Sequence, residues 1–349
     1  MHRAHELSTV CLAVAGVGGW GRNLARNYSQ IPSCDLRYIC DTSPAALTRM
    51  QATTPGALAT TSFDQLLRDP VVQAVVVATP AGTHYALCKA ALLAGKDVYV
   101  EKPFVLEVAQ AEELVHLAKQ EGRILMVGHL LEYHPVVNRL KEMIVSKELG
   151  DIYYLYNQRV NLGTIRNDEN ALWNFAPHDI SSILYLLDME PTDVAARGQS
   201  YLKRGVEDTV FITLNFNDRA MAHIHVSWLD PHKIRKMTIV GSQKMAVFDD
   251  LDANEKLRLY DKGAAYNSDY NSYAEYVTMR FGDITIPYLK MGEPLELECL
   301  HFLECVRERR QPRSDGNDGL RVVRVLDAAQ RSLRSNGTPI VLEPALCGV

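Results

Sequence analysis

Apolar and polar positions follow two different rhythms along this chain, and the rhythm changes near Gly150. Before it, short, mostly apolar runs alternate with helical patterns. VCLAVAGV (10–17), DLRYIC (35–40), VQAVVVATP (72–80), DVYVEKP (97–103) and RILMVGH (123–129) read as strands. Runs apolar throughout suit a parallel sheet covered on both faces. Helical spacing fills 21–30, 43–53, 63–69, 84–96 and 108–122. Ser43 then Pro44 is an N-cap followed by a first-turn proline, and Gly95 closes the fourth helix. Strand and helix in alternation predict a doubly wound α/β Rossmann domain over residues 1–128.

After Gly150 the period falls to two. DTVFITLNF (208–216) and RAMAHIHVSW (219–228) alternate on either side of Asn217 and Asp218, a hairpin pattern. IYYLYNQRV (152–160), KMTIVG (236–241), KMAVFDD (244–250) and KLRLYDK (256–262) add strands. Two amphipathic helices, 295–310 and 319–335, follow. Residues 129–349 are therefore expected to form an α+β domain around a mostly antiparallel sheet.

Composition narrows the function classes. At 349 residues and 47% hydrophobic content the chain can bury two cores. A net charge of −5 argues against a protein that grips nucleic acid or an anionic membrane. No apolar run approaches the ~20 residues of a membrane helix, and the polar opening MHRAHELSTV is not expected to be a secretory signal. The seven cysteines are odd in number and form no Cys-x-x-Cys pair. That is reduced, cytoplasmic usage rather than a disulfide framework or a zinc site. His223 and His225 share a strand face, with His232 nearby, but lack a cysteine or carboxylate partner, so no metal is expected.

The chemistry begins at Gly16-x-Gly18-x-x-Gly21, where the first strand meets the first helix. Gly16 permits the tight turn, Gly18 lets backbone approach a pyrophosphate, and Gly21 lets helix and strand pack closely. Gly19 and Trp20 belong to the same turn. Asp41 ends the second strand, placed to accept bonds from ribose hydroxyls and to repel a 2′-phosphate. The expected cofactor is NAD. Ligands of an open parallel sheet bind at the carboxyl ends of its strands. The signals there are Ala78-Thr79-Pro80, Glu101-Lys102-Pro103 and Gly128-His129. Lys102 can hold a hydroxyl oxygen beside the cofactor, with Glu101 either fixing that lysine or contacting the cofactor.

GVGGWG, Asp41, VVVATPAGTH with its His84, EKP and HDISSILYLL, in this order, resemble the Gfo/Idh/MocA family of sugar and polyol oxidoreductases. The resemblance spans roughly residues 9 to 335. It implies a Rossmann domain followed by an open-faced sheet that carries substrate on one side and an oligomer contact, hence a homo-oligomer, dimer or tetramer. It also implies that Lys102 is catalytic and that Thr79, Pro80, His84, Glu101 and His129 lie at the cofactor. Many members carry Asp-x-x-x-His with the histidine as general base. Here His178 is in place, but the aspartate position is Asn174, which can orient a hydroxyl or His178 but cannot act as an acid or base. Pro177 would clash inside a helix, so this helix is expected to start near Ala176. His178 would then sit by a positive dipole end that favours neutral imidazole.

NQRVNLGTIRNDENALWNFAPHDIS (157–181) resembles the branch that oxidises nucleotide-linked amino sugars, such as UDP-N-acetylglucosamine 3-dehydrogenases. Those act ahead of an aminotransferase in lipid A or surface-polysaccharide synthesis. On this reading Arg159 and Arg166 clamp a diphosphate. Asn161, Asn167 and Asn170 read hydroxyls and the acetamido group, Trp173 packs on a sugar or uracil face, and Tyr133 with His134 lines the same cleft. Two alternatives remain: a dehydrogenase of a free sugar or polyol such as inositol, and a non-catalytic NAD-binding sensor or scaffold. Only a charged substrate needs both arginines, and Lys102 together with His178 speaks for an enzyme.

Overall fold

The computed structural model describes residues 9–163, 165–166, 169–217, 220–266 and 277–343. In the first unit, β1 (Val10–Ala15), β2 (Cys34–Cys40), β3 (Leu58–Thr60), β4 (Ala74–Val77), β5 (Asp97–Glu101) and β6 (Leu125–Gly128) form a parallel sheet. Its order is β3-β2-β1-β4-β5-β6. Helices α1 (Gly21–Gln30), α2 (Pro44–Gln51), α3 (Phe63–Arg68), α4 (His84–Leu93) and α5 (Val108–Gln120) make the connections. Every residue of β1 and β4 is buried, which is why both read as unbroken apolar runs. The chain winds outward in both directions from β1 and β4. Their carboxyl ends are the switch point at which such a sheet opens a crevice.

The second unit contains α6 (Pro135–Val145), β7 (Ile152–Val160), α7 (Ala171–Leu187), β8 (Asp193–Gln199), β9 (Thr209–Phe216), β10 (Ala220–Ser227), β11 (Ile234–Gly241), β12 (Met245–Asp249), β13 (Leu257–Tyr266) and β14 (Val277–Thr285). Its nine-stranded sheet has the order β14-β13-β12-β11-β7-β10-β9-β8-β15, where β15 is Ile340–Val341. The β7–β10 pair is parallel and the other described pairs are antiparallel. The predicted hairpin is present, with Phe216 opposite Ala220. Alternate residues Val210, Ile212 and Leu214 of β9, and Ala222, Ile224 and Val226 of β10, are buried. On the opposite face His225 stacks on Phe211 with ring centres 4.2 Å apart, and His223 stacks on Tyr156 at 5.7 Å. Burial pushes both imidazoles toward neutrality.

The division between units departs from a single boundary after residue 128. The first unit runs to Tyr133 and includes Gly292–Val323; His134–Met291 and the residues from Arg324 onward form the second. Helix α8 (Pro294–Glu308) explains the return. Its Cys299, Phe302, Leu303 and Val306 share one core with Leu24 and Tyr28 of α1 and with Leu12 and Val14 of β1. Helix α9 (Gly316–Arg334) contributes Val323 to the core on the other sheet face. An amphipathic pattern shows that a helix covers a sheet, not which sheet it covers. Among the described residues no helix is long and apolar enough to cross a membrane.

Candidate active site

In the first unit, backbone shapes the cofactor side. Gly16 has φ +88°, and a Cβ there would lie 2.6 Å from the Ala78 carbonyl oxygen. A Cβ on Gly21 would lie 1.8 Å from the Gly16 carbonyl oxygen. Neither position admits a side chain, because the turns after β1 and β4 and the start of α1 touch through backbone. Gly18 and Gly19 differ: a Cβ on either would meet nothing within 4 Å. Helix α1 has no side-chain cap at its Trp20 start and no acidic residue in its first turn. Arg22 and Asn23 N–H bond the Gly18 and Trp20 carbonyls, and the positive end of the helix dipole remains for an anion. Asp41 accepts from Val17 N–H and Ser43 N–H, both at 2.9 Å, so it braces the glycine turn. Two carboxylate oxygens have further lone pairs for ribose hydroxyls.

The strand-end loops are tied together by His84. Its Nε2 lies 2.8 Å from the Thr79 carbonyl oxygen, and its Nδ1 lies 2.9 Å and 3.2 Å from the carbonyl oxygens of Pro103 and Phe104. Burial lowers its pKa, against the raising effect of these carbonyls on both ring nitrogens. His84, expected at the cofactor, is committed to protein backbone and positions the two loops instead. Thr79 Oγ1 bonds Thr83 Oγ1 at 2.7 Å, and Pro80 leads into the turn Ala81–Thr83.

β5 ends at Glu101, Lys102 follows it directly, and the Lys102–Pro103 peptide is cis. Glu101 is 8% exposed and accepts from the Tyr99 hydroxyl at 3.1 Å and from Lys102 N–H at 3.2 Å. Burial pushes its carboxyl up to about 7, against the pull of the Lys102 charge, Tyr99 and Trp20. Gly128 makes room for this arrangement: a Cβ there would lie 2.6 Å from Tyr99 Oη. His129 is 1% exposed, and neither ring nitrogen has a hydrogen-bond partner among the described residues. Burial, and then the Lys102 charge, lower its pKa to about 3, which fixes a neutral imidazole with one donor and one acceptor unused. Buried polar groups are rarely left unpaired. This orphan imidazole and the open glycine turn fit a bound dinucleotide.

In the second unit the structure corrects the start of α7. The helix begins at Ala171, with Asn170 as N-cap accepting from Trp173 N–H at 3.1 Å, and Pro177 lies inside it. An interior proline costs about 3 kcal/mol. Capping and the burial of Ala171, Leu172 and Ala176 offset that cost. His178 therefore stands well inside the helix, beyond the first turn where a dipole acts, and the expectation of a dipole-held neutral ring does not apply.

The residue after His178 anchors it. Asp179, 3% exposed, accepts from Arg159 Nε at 2.7 Å, from Arg159 Nη2 at 3.3 Å and from Asn157 Nδ2 at 3.2 Å. Arg159 is thus a two-bond partner of Asp179, where a diphosphate clamp was expected. Asp179→Ala would leave the Arg159 guanidinium, 11% exposed, beside Arg235 without its counter-charge. We expect a loss of about 3–5 kcal/mol in denaturant unfolding.

Asn174 is held from both ends. Its Nδ2 donates to Glu169 Oε1 at 2.6 Å, and its Oδ1 accepts from the buried Trp228 indole at 3.3 Å. Glu169 also pairs with Arg166 at 2.7 Å. An aspartate at 174 would face Glu169 as a like charge, so the amide suits a site where Glu169 already supplies a carboxylate. Asn170 cannot read a sugar with its amide hydrogens: Nδ2 donates to Glu207 and Gln330. Trp173 Nε1 donates to the same Gln330 oxygen. Asn161 is only partly buried, with its side chain against Gly163, and Asn167 lies outside the described residues. Tyr133, of the first unit, is 3% exposed and bonds Ser314 Oγ at 2.9 Å, so it is a core residue, not a substrate contact. His134 caps α6 by accepting from Val136 N–H.

Comparison with known proteins identifies the lineage. The model described as "Oxidoreductase family, NAD-binding Rossmann fold" matches residues 10–129, and the "GFO/IDH/MocA C-terminal domain" matches 137–247. A UDP-N-acetylglucosamine 3-dehydrogenase of Acidithiobacillus ferrooxidans is 30% identical over 72% of this chain and 77% of its own length. The chain belongs to the Gfo/Idh/MocA family. It is an oxidoreductase with an NAD-binding Rossmann domain. A solved structure of the Acidithiobacillus enzyme superposes with a TM-score of 0.79 at 26% identity, covering 94% of this chain and 98% of that one. A scyllo-inositol 2-dehydrogenase (NAD(+)) of Bacillus subtilis is 26% identical over 95% of this Gfo/Idh/MocA chain and 96% of its own.

Sequence reasoning missed Glu169, the anchoring role of Asp179, and the buried pair Tyr99 and Glu298. One signal was available: Glu298 interrupts the apolar stripe Leu295, Cys299, Phe302 and Val306 of α8.

Proposed function

We propose that this enzyme oxidises the 3-hydroxyl of a nucleotide-linked amino sugar, UDP-N-acetylglucosamine foremost, to the 3-keto sugar. NAD supplies the hydride acceptor when bound. His178 takes the hydroxyl proton, and Lys102 holds the oxygen as negative charge develops on it. Glu101 and His129 frame the cofactor side. Asn174 orients the reacting groups, and Arg166 meets the diphosphate. The observation that carries the reading is the 30% identity to a UDP-N-acetylglucosamine 3-dehydrogenase. A 3-keto sugar is the carbonyl an aminotransferase needs to install a 3-amino group, which places such an enzyme next to this one.

Inositol oxidation is the second reading, favoured by the inositol dehydrogenase similar over nearly the whole chain. With Arg159 bonded to Asp179 and Arg166 paired with Glu169, the two arginines of the segment do not by themselves favour a charged substrate over inositol. The test incubates the protein and NAD with UDP-N-acetylglucosamine, other nucleotide sugars, free sugars and inositols. NADH formation and loss of two hydrogens by mass are followed, with a 2-oxo acid present to recycle tightly held NADH. Turnover of UDP-N-acetylglucosamine is expected. Turnover of inositol or glucose alone overturns the substrate.

A further inference from the structure

Behind β5 three polar groups line up in a dry core. Glu298 on α8 is 1% exposed, and its Oε2 lies 3.0 Å from Tyr99 Oη. The same phenol lies 3.1 Å from Glu101 Oε1. A phenol has one proton, so it donates to one carboxyl and accepts from the other. The carboxyl from which it accepts must be the neutral acid.

The surroundings decide which one that is. Glu101 accepts Lys102 N–H at 3.2 Å, and the Lys102 charge acts on it. Glu298 Oε1 is buried with no hydrogen-bond partner among the described residues, and no described ion pair reaches this carboxyl. The titratable groups around the pair are Tyr28 of α1, Cys299 of α8, and Glu132 and Tyr133 after β6. None of these is a cation. An anion on Glu298 would be bare in the core, whereas one on Glu101 has donors and a positive neighbour.

We propose that Glu298 is held as a neutral acid whose proton points at Tyr99, so that Tyr99 donates to Glu101 and fixes an anionic carboxylate beside Lys102. Glu298 is a positioning residue that reaches the strand end through one phenol. Burial shifts support the order: Glu298 is pushed well above the usual carboxyl range, Glu101 only to about 7. The protonation pattern stands without the oxidation proposed above; only its effect on turnover rests on that reading.

The test uses the full chain and reads carboxyl groups by infrared difference spectroscopy, with Glu101→Gln marking the Glu101 titration. At neutral pH a protonated-carboxyl band is expected in the parent protein and lost in Glu298→Gln. If no band is lost, the proposal is overturned. Because glutamine keeps a neutral donor, Glu298→Gln should leave the Glu101 titration in place. A downward shift of a unit or more would mean that a charge had been removed, and would reject the neutral acid. Tyr99→Phe separates the two polarities even where Glu298→Gln does not fold. Losing a donor to its anion moves Glu101 titration upward. If it stays or moves downward, Tyr99 was not that donor, and the proposal fails. The acidic limb of kcat/KM should follow the spectroscopic titration; if no sugar is oxidised, the spectra still decide.

Discussion

Lys102→Ala is expected to lower turnover by about 10²–10³, the range seen when one preorganised stabiliser of a developing oxyanion is removed. The effect should fall on kcat and kcat/KM together, because the ammonium interacts most strongly when the hydroxyl oxygen carries charge. NAD binding should survive. The glycine turn and Asp41 do not involve Lys102. His129 stays neutral without the lysine, because burial is the larger cause of its lowered pKa. Glu101 responds in the other sense. The Lys102 charge holds that carboxyl down, so its removal raises a pKa already at about 7 and keeps Glu101 neutral over a wider pH range. Lys102→Ala should therefore show an acidic limb displaced to higher pH in its residual activity. Lys102→Arg keeps the charge but not the compact ammonium, and separates the two consequences: Glu101 titration near that of the parent, turnover still impaired. Near-normal turnover of Lys102→Ala, with NAD affinity retained, would remove the lysine from the chemistry.

How much of this was legible beforehand differs between the two units. β1, β4 and β5 could be read because each is buried throughout and ends at a glycine, proline or charge, whereas β3, three residues with two exposed, was not read. The parallel sheet and the glycine turn follow from local signals alone. In the second unit β8, with sequence DVAARGQ, and the helix PVVNRLKEMIV were not read as elements. β8 is made of small and polar residues and is held by its pairing with β9. β14 pairs with β13, yet Gly282 and Asp283 break its β-favouring run. Burial across long separations was the other illegible quantity. Arg159 reads as a diphosphate ligand, but α7 brings Asp179 to it, and no local signal ties Tyr99 to Glu298, which comes from the far end of the chain. Side-chain chemistry is written in the sequence; which groups neutralise each other is a property of the fold.

His178→Ala is the second large effect, an expected loss of about 10²–10⁴ in turnover, the contribution typical of a positioned general base. The argument rests on how firmly the backbone at this position is held. Ser181 Oγ donates to the His178 carbonyl at 3.1 Å, Ser182 Oγ donates to that of Asp179 at 3.0 Å, and the Asp179 side chain is locked by Arg159 and Asn157. Removing an imidazole that is partly exposed should leave this framework standing, so the unfolding midpoint should move far less than in Asp179→Ala. That contrast would separate an effect on chemistry at His178 from an effect on folding at Asp179. His178→Gln, which keeps a hydrogen-bonding side chain but no base, should be nearly as slow as His178→Ala. Added imidazole should restore part of the activity of the alanine variant by occupying the vacated volume. If His178→Ala turns over normally while Asp179→Ala loses stability as expected, the helix is a scaffold and the base lies elsewhere. If the alanine variant is inactive but also unfolds early, the rescue by imidazole decides, because a purely structural loss would not respond to a diffusible base.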